Sequence, residues 1–194
     1  MSITDSGFLN LMNNLASIAK KDMAVIVIDE SDNVQGDTKE EQKLFDEISH
    51  YQLRILAQAK IWQLPIYEIT FGSPSRKAIT DMTQNANVTT LRKSEANALK
   101  DQKVREFICN DGRSDYFVMG FHTDACVAST IGAISFGENI EERHPWGVTE
   151  YGLLQYGKKV YTSLKVLHPP KFSSGKWGDV ADYKRLIICD GGRP

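Results

Sequence analysis

Three reactive side chains directly follow apolar runs that are typical of β-strands: an acid, a lysine and a cysteine. Asp29 ends MAVIVID, Lys93 ends NVTTLRK, and Cys126 lies just past DYFVMGF in the stretch GFHTDACV. A thiol becomes a good nucleophile when it loses its proton, and a nearby ammonium group favours the thiolate. A carboxylate can accept that proton and later return it to a leaving group. Together these side chains indicate cysteine-based nucleophilic catalysis, with Asp29 as base and Lys93 as cation.

Each of these residues also has a purely structural interpretation when it is taken alone. Asp29 could cap a turn, Lys93 could be a solvated lysine, and Cys126 could be a small buried apolar residue, as free cysteines often are. A second catalytic alternative pairs Cys126 with His122, four residues earlier, as a cysteine–histidine dyad. The spatial relation of the strand ends decides among these interpretations.

The elements that must position these residues follow an alternating pattern of strands and helices. Continuous apolar, β-branched runs predict strands buried on both faces of a parallel sheet. The predicted strands are 23–29, 64–70, 87–93, 115–121, 158–164 and 185–190. This pattern predicts an α/β fold: a single three-layer α/β/α domain over residues 1–194, with a Rossmann-like, six-stranded, mostly parallel sheet. Ligands bind beyond the carboxyl ends of such strands, where Asp29, Lys93 and Cys126 are expected to meet.

Helices are predicted between the strands from apolar periodicity and capping residues. The first covers Phe8 to Ile18, and the second opens at Thr38, where Glu41 completes a capping box. Its expected apolar face is Leu44, Ile48, Tyr51, Ile55, Ala59 and Trp62. Ser94 is expected to cap a further helix. A last helix is predicted to begin at Cys126 and to end at Gly137. The dipole at the N-terminus of this helix and the Lys93 ammonium would both favour the thiolate form of Cys126.

Composition excludes several other classes of function. Lys and Arg number 23 against 25 Asp and Glu in 194 residues, so we expect no nucleic-acid partner and no anionic membrane surface as partner. Cys109, Cys126 and Cys189 are widely spaced, which favours reduced thiols and a cytoplasmic location. The N-terminus lacks a signal-like run, and no apolar segment approaches the ~20 residues of a membrane span.

Three segments together resemble the isochorismatase-like cysteine hydrolases, which include nicotinamidases, N-carbamoylsarcosine amidases and isochorismatases. The family's strand ending in Asp is similar to AVIVID, its lysine before a helix to LRKSEANAL, and its G-x-x-T-D-x-C-V turn to GFHTDACV. The similarity runs from about Met23 to about Phe136. The resemblance implies that Asp29, Lys93 and Cys126 are base, cation and nucleophile. It also implies a cis peptide between Phe121 and His122, which would aim the amides of His122 and Cys126 at one oxyanion.

The chain departs from the family pattern at two places. Ser31 stands where family members usually carry a Gln, two residues after the Asp. The region that supplies metal-binding histidines in nicotinamidases is YEITFGSPSRK here and has no histidine, so we expect neither a metal nor any other cofactor. The remaining histidines, His50 and His168, are expected at the surface, because no paired ligand spacing accompanies them.

The segment after the nucleophile helix, within 137–157, looks longer than the family's usual link. With His144, Trp146 and Tyr151 it is expected to form a lid or an oligomer contact, and the tail around Trp177 is not assigned. The prediction is a hydrolase of a small amide or carbamoyl compound that acts through a thioester. The alternatives are vinyl-ether hydrolysis of isochorismate and an inactive binding protein of the same fold. The substrate-binding residues are unknown, and the resemblance implies a homo-oligomer, a dimer or tetramer.

Overall fold

The structure is a computed structural model that describes residues 12–13, 15–16, 22–121, 123–132, 151–168 and 186–189. The described part of the chain forms one six-stranded sheet in the order β3-β2-β1-β4-β5-β6. Its strands are β1 (Met23–Ile28), β2 (Ile66–Thr70), β3 (Val88–Arg92), β4 (Asp115–Gly120), β5 (Lys159–Thr162) and β6 (Leu186–Ile188). Every neighbouring pair is parallel, so the predicted α/β sheet is confirmed.

The centre of the sheet is β1, which lies between β2 and β4. All six of its residues are buried, as expected of a continuous apolar run covered on both faces. Ile28, its last residue, is level with Ile69 on one side and with Gly120 on the other. The order of the strands reverses between β1 and β4. This is the switch point at which open α/β sheets form a crevice beyond the strands.

Helices cover both faces of the sheet. The α-helices are α1 (Lys39–Ile61), α2 (Lys77–Thr83), α3 (Gln102–Asn110) and α4 (Ala128–Ile131). Odd-numbered β1 residues such as Val25 pack with Ile55 of α1 and Ile79 of α2. Even-numbered ones such as Ile26 pack with Val104 of α3 and with α4. The two apolar clusters confirm the predicted three-layer arrangement, because side chains alternate between the faces of a strand.

The predicted start of α1 is confirmed, and Ile48, Ile55 and Ala59 of its predicted apolar face are buried, whereas its first turn is rotated. Thr38 accepts a hydrogen bond from the Glu41 amide, and the Glu41 carboxylate accepts one from the Thr38 amide. Leu44, expected in the core, is 41 % exposed, and its neighbour Phe45 is buried instead. Phe45 lies against the rings of Phe121 and His168, a contact between distant segments that periodicity does not reveal.

Removal of the capping hydroxyl gives a first prediction. Thr38→Ala leaves the Glu41 amide without its partner and should lower the free energy of unfolding by about 1 kcal/mol. Thr38→Ser keeps the hydroxyl and is the matched control. Chemical denaturation of both variants checks this, and an equal loss of stability in the serine variant would contradict the capping role.

Three other helix predictions change in the structure. The helix after β3 is split into a 3₁₀ turn (Ala98–Lys100) and α3. The residue that caps α3 is Asp101 rather than Ser94, and its carboxylate accepts a hydrogen bond from the Lys103 amide. The helix after the cysteine ends at Ile131, because Gly132 adopts the left-handed φ of 84° that terminates helices. Most of the predicted N-terminal helix lies outside the described residues. No helix in the described ranges combines the length and apolarity that crossing a membrane requires.

Candidate active site

Asp29 is the first residue after β1 and has an unusual backbone conformation. Its φ is 53°, in the left-handed region that few residues other than Gly, Asn and Asp adopt. Its amide donates to the carbonyl of Ile69 in β2, at 2.9 Å. Residues held in this region cluster at functional sites, where the surrounding structure enforces them.

Lys93 follows β3 and reaches the Asp29 carboxylate across the end of β2. Its Nζ lies 2.6 Å from Asp29 Oδ2, and it also donates to the carbonyl of Ala96 at 3.0 Å. The Lys93 side chain is completely buried, and the Asp29 side chain is only 12 % exposed. An ammonium group in such a place needs a paired carboxylate. Sequence reasoning placed these two residues at the same edge of the sheet, and the structure brings them into contact.

Cys126 lies in a π-helical turn (Thr123–Val127) that follows β4 and runs into α4. Turns of this kind are frequent at functional sites. Gly120, the last residue of β4, makes the close approach to β1 possible. Its φ is 140°, and a Cβ there would lie 2.2 Å from the carbonyl oxygen of Ile28. A side chain at this position would therefore push β4 and its cysteine turn away from Asp29.

The electrostatics at Cys126 differ from the sequence expectation. Burial raises the pKa of the thiol to about 11; the Lys93 ammonium acts to lower this pKa, and the Asp29 carboxylate acts to raise it. Lys93 favours the thiolate as the sequence predicts, but burial has the larger effect and favours a protonated resting thiol. Asp29 Oδ1 is buried and has no hydrogen-bond partner among the described residues, which leaves a carboxylate oxygen able to receive a proton.

Asp29 and Cys126 line a common cavity of about 390 Å³ beyond the carboxyl ends of the strands. Its wall combines apolar surface, including Phe71 and Phe121, with polar side chains. The polar lining residues besides Asp29 are Ser31, Asn33, Ser73, Ser94 and Glu95. The ring of Phe71 is 55 % exposed, and the Lys93 ammonium lies 5.3 Å from its centre. Mostly apolar clefts with a few convergent polar groups are typical of small-molecule sites.

Other predicted site residues have mixed outcomes. Phe121 lines the cavity, whereas His122 lies outside the described residues, so the oxyanion turn and the cysteine–histidine dyad stay predictions. His144, Trp146 and most of the proposed lid also lie outside them. Tyr151 is described: its ring stacks on Arg105, and its carbonyl accepts from Asn97.

The prediction of a surface His168 is wrong, because this side chain is completely buried. It belongs to a buried polar group, here called the Glu30 cluster, formed by Glu30, Gln52, Arg76 and His168. Sequence reasoning missed this cluster, since its members lie on four separate segments. The adjacency of Glu30 to Asp29 is the one local signal that the sequence contains.

No protein-family model and no curated protein matches the chain, whereas solved structures do. An isochorismatase from Pseudomonas putida is 14% identical with a TM-score of 0.63, covering 92% of this chain and 95% of that one. N-carbamoylsarcosine amidase from Thermoplasma acidophilum is 11% identical with a TM-score of 0.60, covering 88% and 97%. The YcaC protein of Escherichia coli, an octameric hydrolase of unknown specificity, is 15% identical with a TM-score of 0.60, covering 88% and 77%. The chain therefore has the isochorismatase-like fold.

Proposed function

We propose that this protein is a cysteine-dependent hydrolase of a C–N bond in a small amide or carbamoyl compound. The observation that carries the proposal is the buried Asp29–Lys93 pair, 2.6 Å apart, beside the Cys126 thiol. Asp29 and Cys126 also line one ligand-sized cavity. An amidase and a carbamoyl hydrolase need the same three groups: a nucleophile, a group that moves its proton, and a cation that offsets the negative charge of the site.

In the first half-reaction, Cys126 Sγ attacks the substrate carbonyl carbon while the thiol proton passes to the Asp29 carboxylate. Because the resting thiol has a raised pKa, this transfer accompanies the attack rather than preceding it. The oxyanion is bound by backbone amides, for which the resemblance favours those of His122 and Cys126. When the C–N bond breaks, Asp29 returns the proton to the leaving nitrogen, and a thioester on Cys126 remains.

In the second half-reaction, water attacks the thioester carbonyl and Asp29 accepts a proton from it. The C–S bond then breaks, and the proton returns to Cys126 Sγ as the acid product leaves. Lys93 offsets the negative charge of whichever group, carboxylate or thiolate, carries it. The neighbouring Ser31, Ser73 and Ser94 hydroxyls and the Phe71 ring are suited to orient a small planar substrate.

A substrate panel tests the proposal directly. Purified protein is incubated with nicotinamide, N-carbamoyl amino acids, ureido compounds and isochorismate, and release of ammonia and of product is measured. We expect turnover of an amide or carbamoyl compound that Cys126→Ala abolishes. Cys109→Ala is the matched control, because Cys109 is an exposed thiol, and it should retain full activity.

Three other results would contradict this function. Turnover that persists in Cys126→Ala would exclude the thioester. Hydrolysis of isochorismate alone would favour the vinyl-ether alternative, and ligand binding without turnover would favour the inactive binding protein.

We also propose that the chain assembles as a homo-oligomer, which the octameric state of the similarly folded Escherichia coli protein supports.

A further inference from the structure

The Glu30 carboxylate is completely buried and is surrounded by polar side chains from three other segments. Gln52 of α1 donates to Oε1 at 2.5 Å, and the Arg76 guanidinium pairs with Oε2. His168 Nε2, after β5, lies 2.9 Å from Oε1. Burial acts to raise the pKa of Glu30, but His168, Arg76 and Gln52 together outweigh it, and the pKa is lowered. Glu30 is therefore an ionised carboxylate inside the protein.

The cluster is joined to the turn that carries Cys126 through His168. The His168 amide donates to the carbonyl of Gly120 at 3.2 Å, and its own carbonyl accepts a short hydrogen bond from the Thr123 hydroxyl. Its imidazole ring lies edge-on to the ring of Phe121, with 5.3 Å between centres. His168 therefore contacts the end of β4, the first residue of the π-helical turn and a residue of the cavity wall.

The cluster is joined to Asp29 through the backbone. Glu30 is the next residue in the chain, and its carbonyl accepts from the Arg76 amide at 2.7 Å. Arg76 thus holds Glu30 at both its side chain and its backbone. The Arg76 guanidinium also donates to Gln52 Oε1 at 3.0 Å. The Asp29 backbone, with its left-handed φ, is therefore fixed on its C-terminal side by Glu30, which makes four polar contacts. Such a conformation persists only when neighbouring structure enforces it.

We propose that Glu30 is a positioning residue for the reaction: through Arg76 and His168 its carboxylate holds Asp29 and the Cys126 turn at the distance that proton transfer requires. The inference rests on the proposed function and adds a residue that has no contact with substrate. None of the four side chains of the Glu30 cluster is among the described residues that line the cavity. The cluster joins the end of β1, helix α1, the residue before α2 and the segment that follows β5.

Stability alone is a poor explanation of such an arrangement. A buried ion pair loses much of its attraction to the cost of removing both charges from water, and apolar replacements are often as stable. The relative position of the catalytic groups is a better explanation than stability, because the reaction rate depends steeply on it. A displacement of about 1 Å can reduce the rate about 10²-fold. Buried polar networks rigidify the segments that they join, and the Glu30 carboxylate contacts three segments at once.

Glu30→Gln tests the inference, because it keeps the shape of the side chain and removes the charge that pairs with Arg76 and lies 2.9 Å from His168 Nε2. The matched control is Asp111→Asn at the opposite end of the strands. There the carboxylate accepts from the hydroxyls of Tyr67 at 3.0 Å and Tyr116 at 2.7 Å. We expect kcat to fall about 10²-fold in Glu30→Gln with little change in KM. The control should lose stability and keep its kcat.

A fall in kcat that is no larger than in the control would overturn the inference and leave Glu30 a structural residue. If Glu30→Gln does not fold, Arg76→Lys decides instead, since Arg76 is partly exposed and lysine keeps its charge but not its two hydrogen bonds. It should lower kcat more than Asp111→Asn does, and an unchanged kcat would equally overturn the inference.

The failure of the proposed function remains distinguishable from the failure of this inference. If the wild-type protein hydrolyses no compound, the ionisation of Cys126, followed by ultraviolet absorbance of the thiolate against pH, replaces kcat as the readout. A displaced Asp29 or Lys93 changes the pKa of the thiol, which both groups influence. A shift in Glu30→Gln no larger than that in Asp111→Asn then overturns the positioning role, and a larger shift supports it.

Discussion

Asp29→Asn should strongly reduce turnover and, at the same time, make the Cys126 thiol easier to ionise. Asparagine has the size of aspartate and tolerates the left-handed φ of 53°, so the backbone is expected to stay in place. Without a carboxylate the thiol proton has no acceptor, and loss of a general base reduces turnover about 10²- to 10⁴-fold.

The sign of the pKa change follows from the charges. The Asp29 carboxylate acts to raise the pKa of Cys126, whereas the Lys93 ammonium acts to lower it. Removing the carboxylate leaves the ammonium unopposed, so the pKa of the thiol should fall below its wild-type value of about 11.

Thiolate absorbance against pH, corrected with the Cys126→Ala protein, measures this change alongside turnover. A pKa that stays at its wild-type value would show that the Asp29 carboxylate does not act on the thiol. A pKa that rises in Asp29→Asn would contradict the arrangement of charges described above.

Lys93→Met should have the opposite effect on the thiol and a large effect on stability. Methionine fills a similar volume without charge, so the nearly buried Asp29 carboxylate loses its partner. Removing one member of a buried ion pair costs about 3–5 kcal/mol of the free energy of unfolding. The pKa of Cys126 should rise further, because the group that acts to lower it is gone. Denaturation and thiolate absorbance test both effects.

Lys77→Met is the matched control for this variant. Lys77 also pairs with an aspartate, Asp81, at 2.6 Å, but its side chain is 79 % exposed. Exposed pairs contribute about 0–1 kcal/mol, so this variant should be nearly as stable as the wild type and leave Cys126 unchanged. Equal losses of stability in the two lysine variants would show that burial of the Asp29–Lys93 pair has no special energetic role.

The two site variants are most informative together. Both should lose activity, yet they should move the pKa of one thiol in opposite directions. A general loss of structure exposes the thiol and lowers a pKa that burial has raised, whichever residue is replaced. A rise in Lys93→Met with a fall in Asp29→Asn therefore identifies the charges themselves as the cause.

The sequence by itself determined the sheet and the place of the site. Continuous apolar runs such as that of β1 suit a strand buried on both faces, and alternation with helices requires parallel connections. Parallel strands end at one edge, so residues directly after them, such as Asp29 and Lys93, meet without further information. The Thr38 cap was likewise predictable, since its partner lies three residues away.

Only the tertiary structure decided the burial that raises the pKa of Cys126 and the existence of the Glu30 cluster. The charges near Cys126 are visible in the sequence, but the burial that outweighs them depends on how many atoms surround the thiol. Glu30 contacts Gln52 of α1, which covers the face of the sheet where the odd-numbered residues of β1 lie. If the alternation of β1 continued, Glu30, as an even-numbered residue, would lie on the other face.

The left-handed turn at Asp29 ends that alternation and is itself maintained by distant contacts. Patterns of period 2 or 3.6 describe neighbours within one element. Such patterns contain no information on the Glu30 carboxylate, because its partners lie on three other segments, more than twenty residues away in the sequence. Only the folded chain brings those groups together.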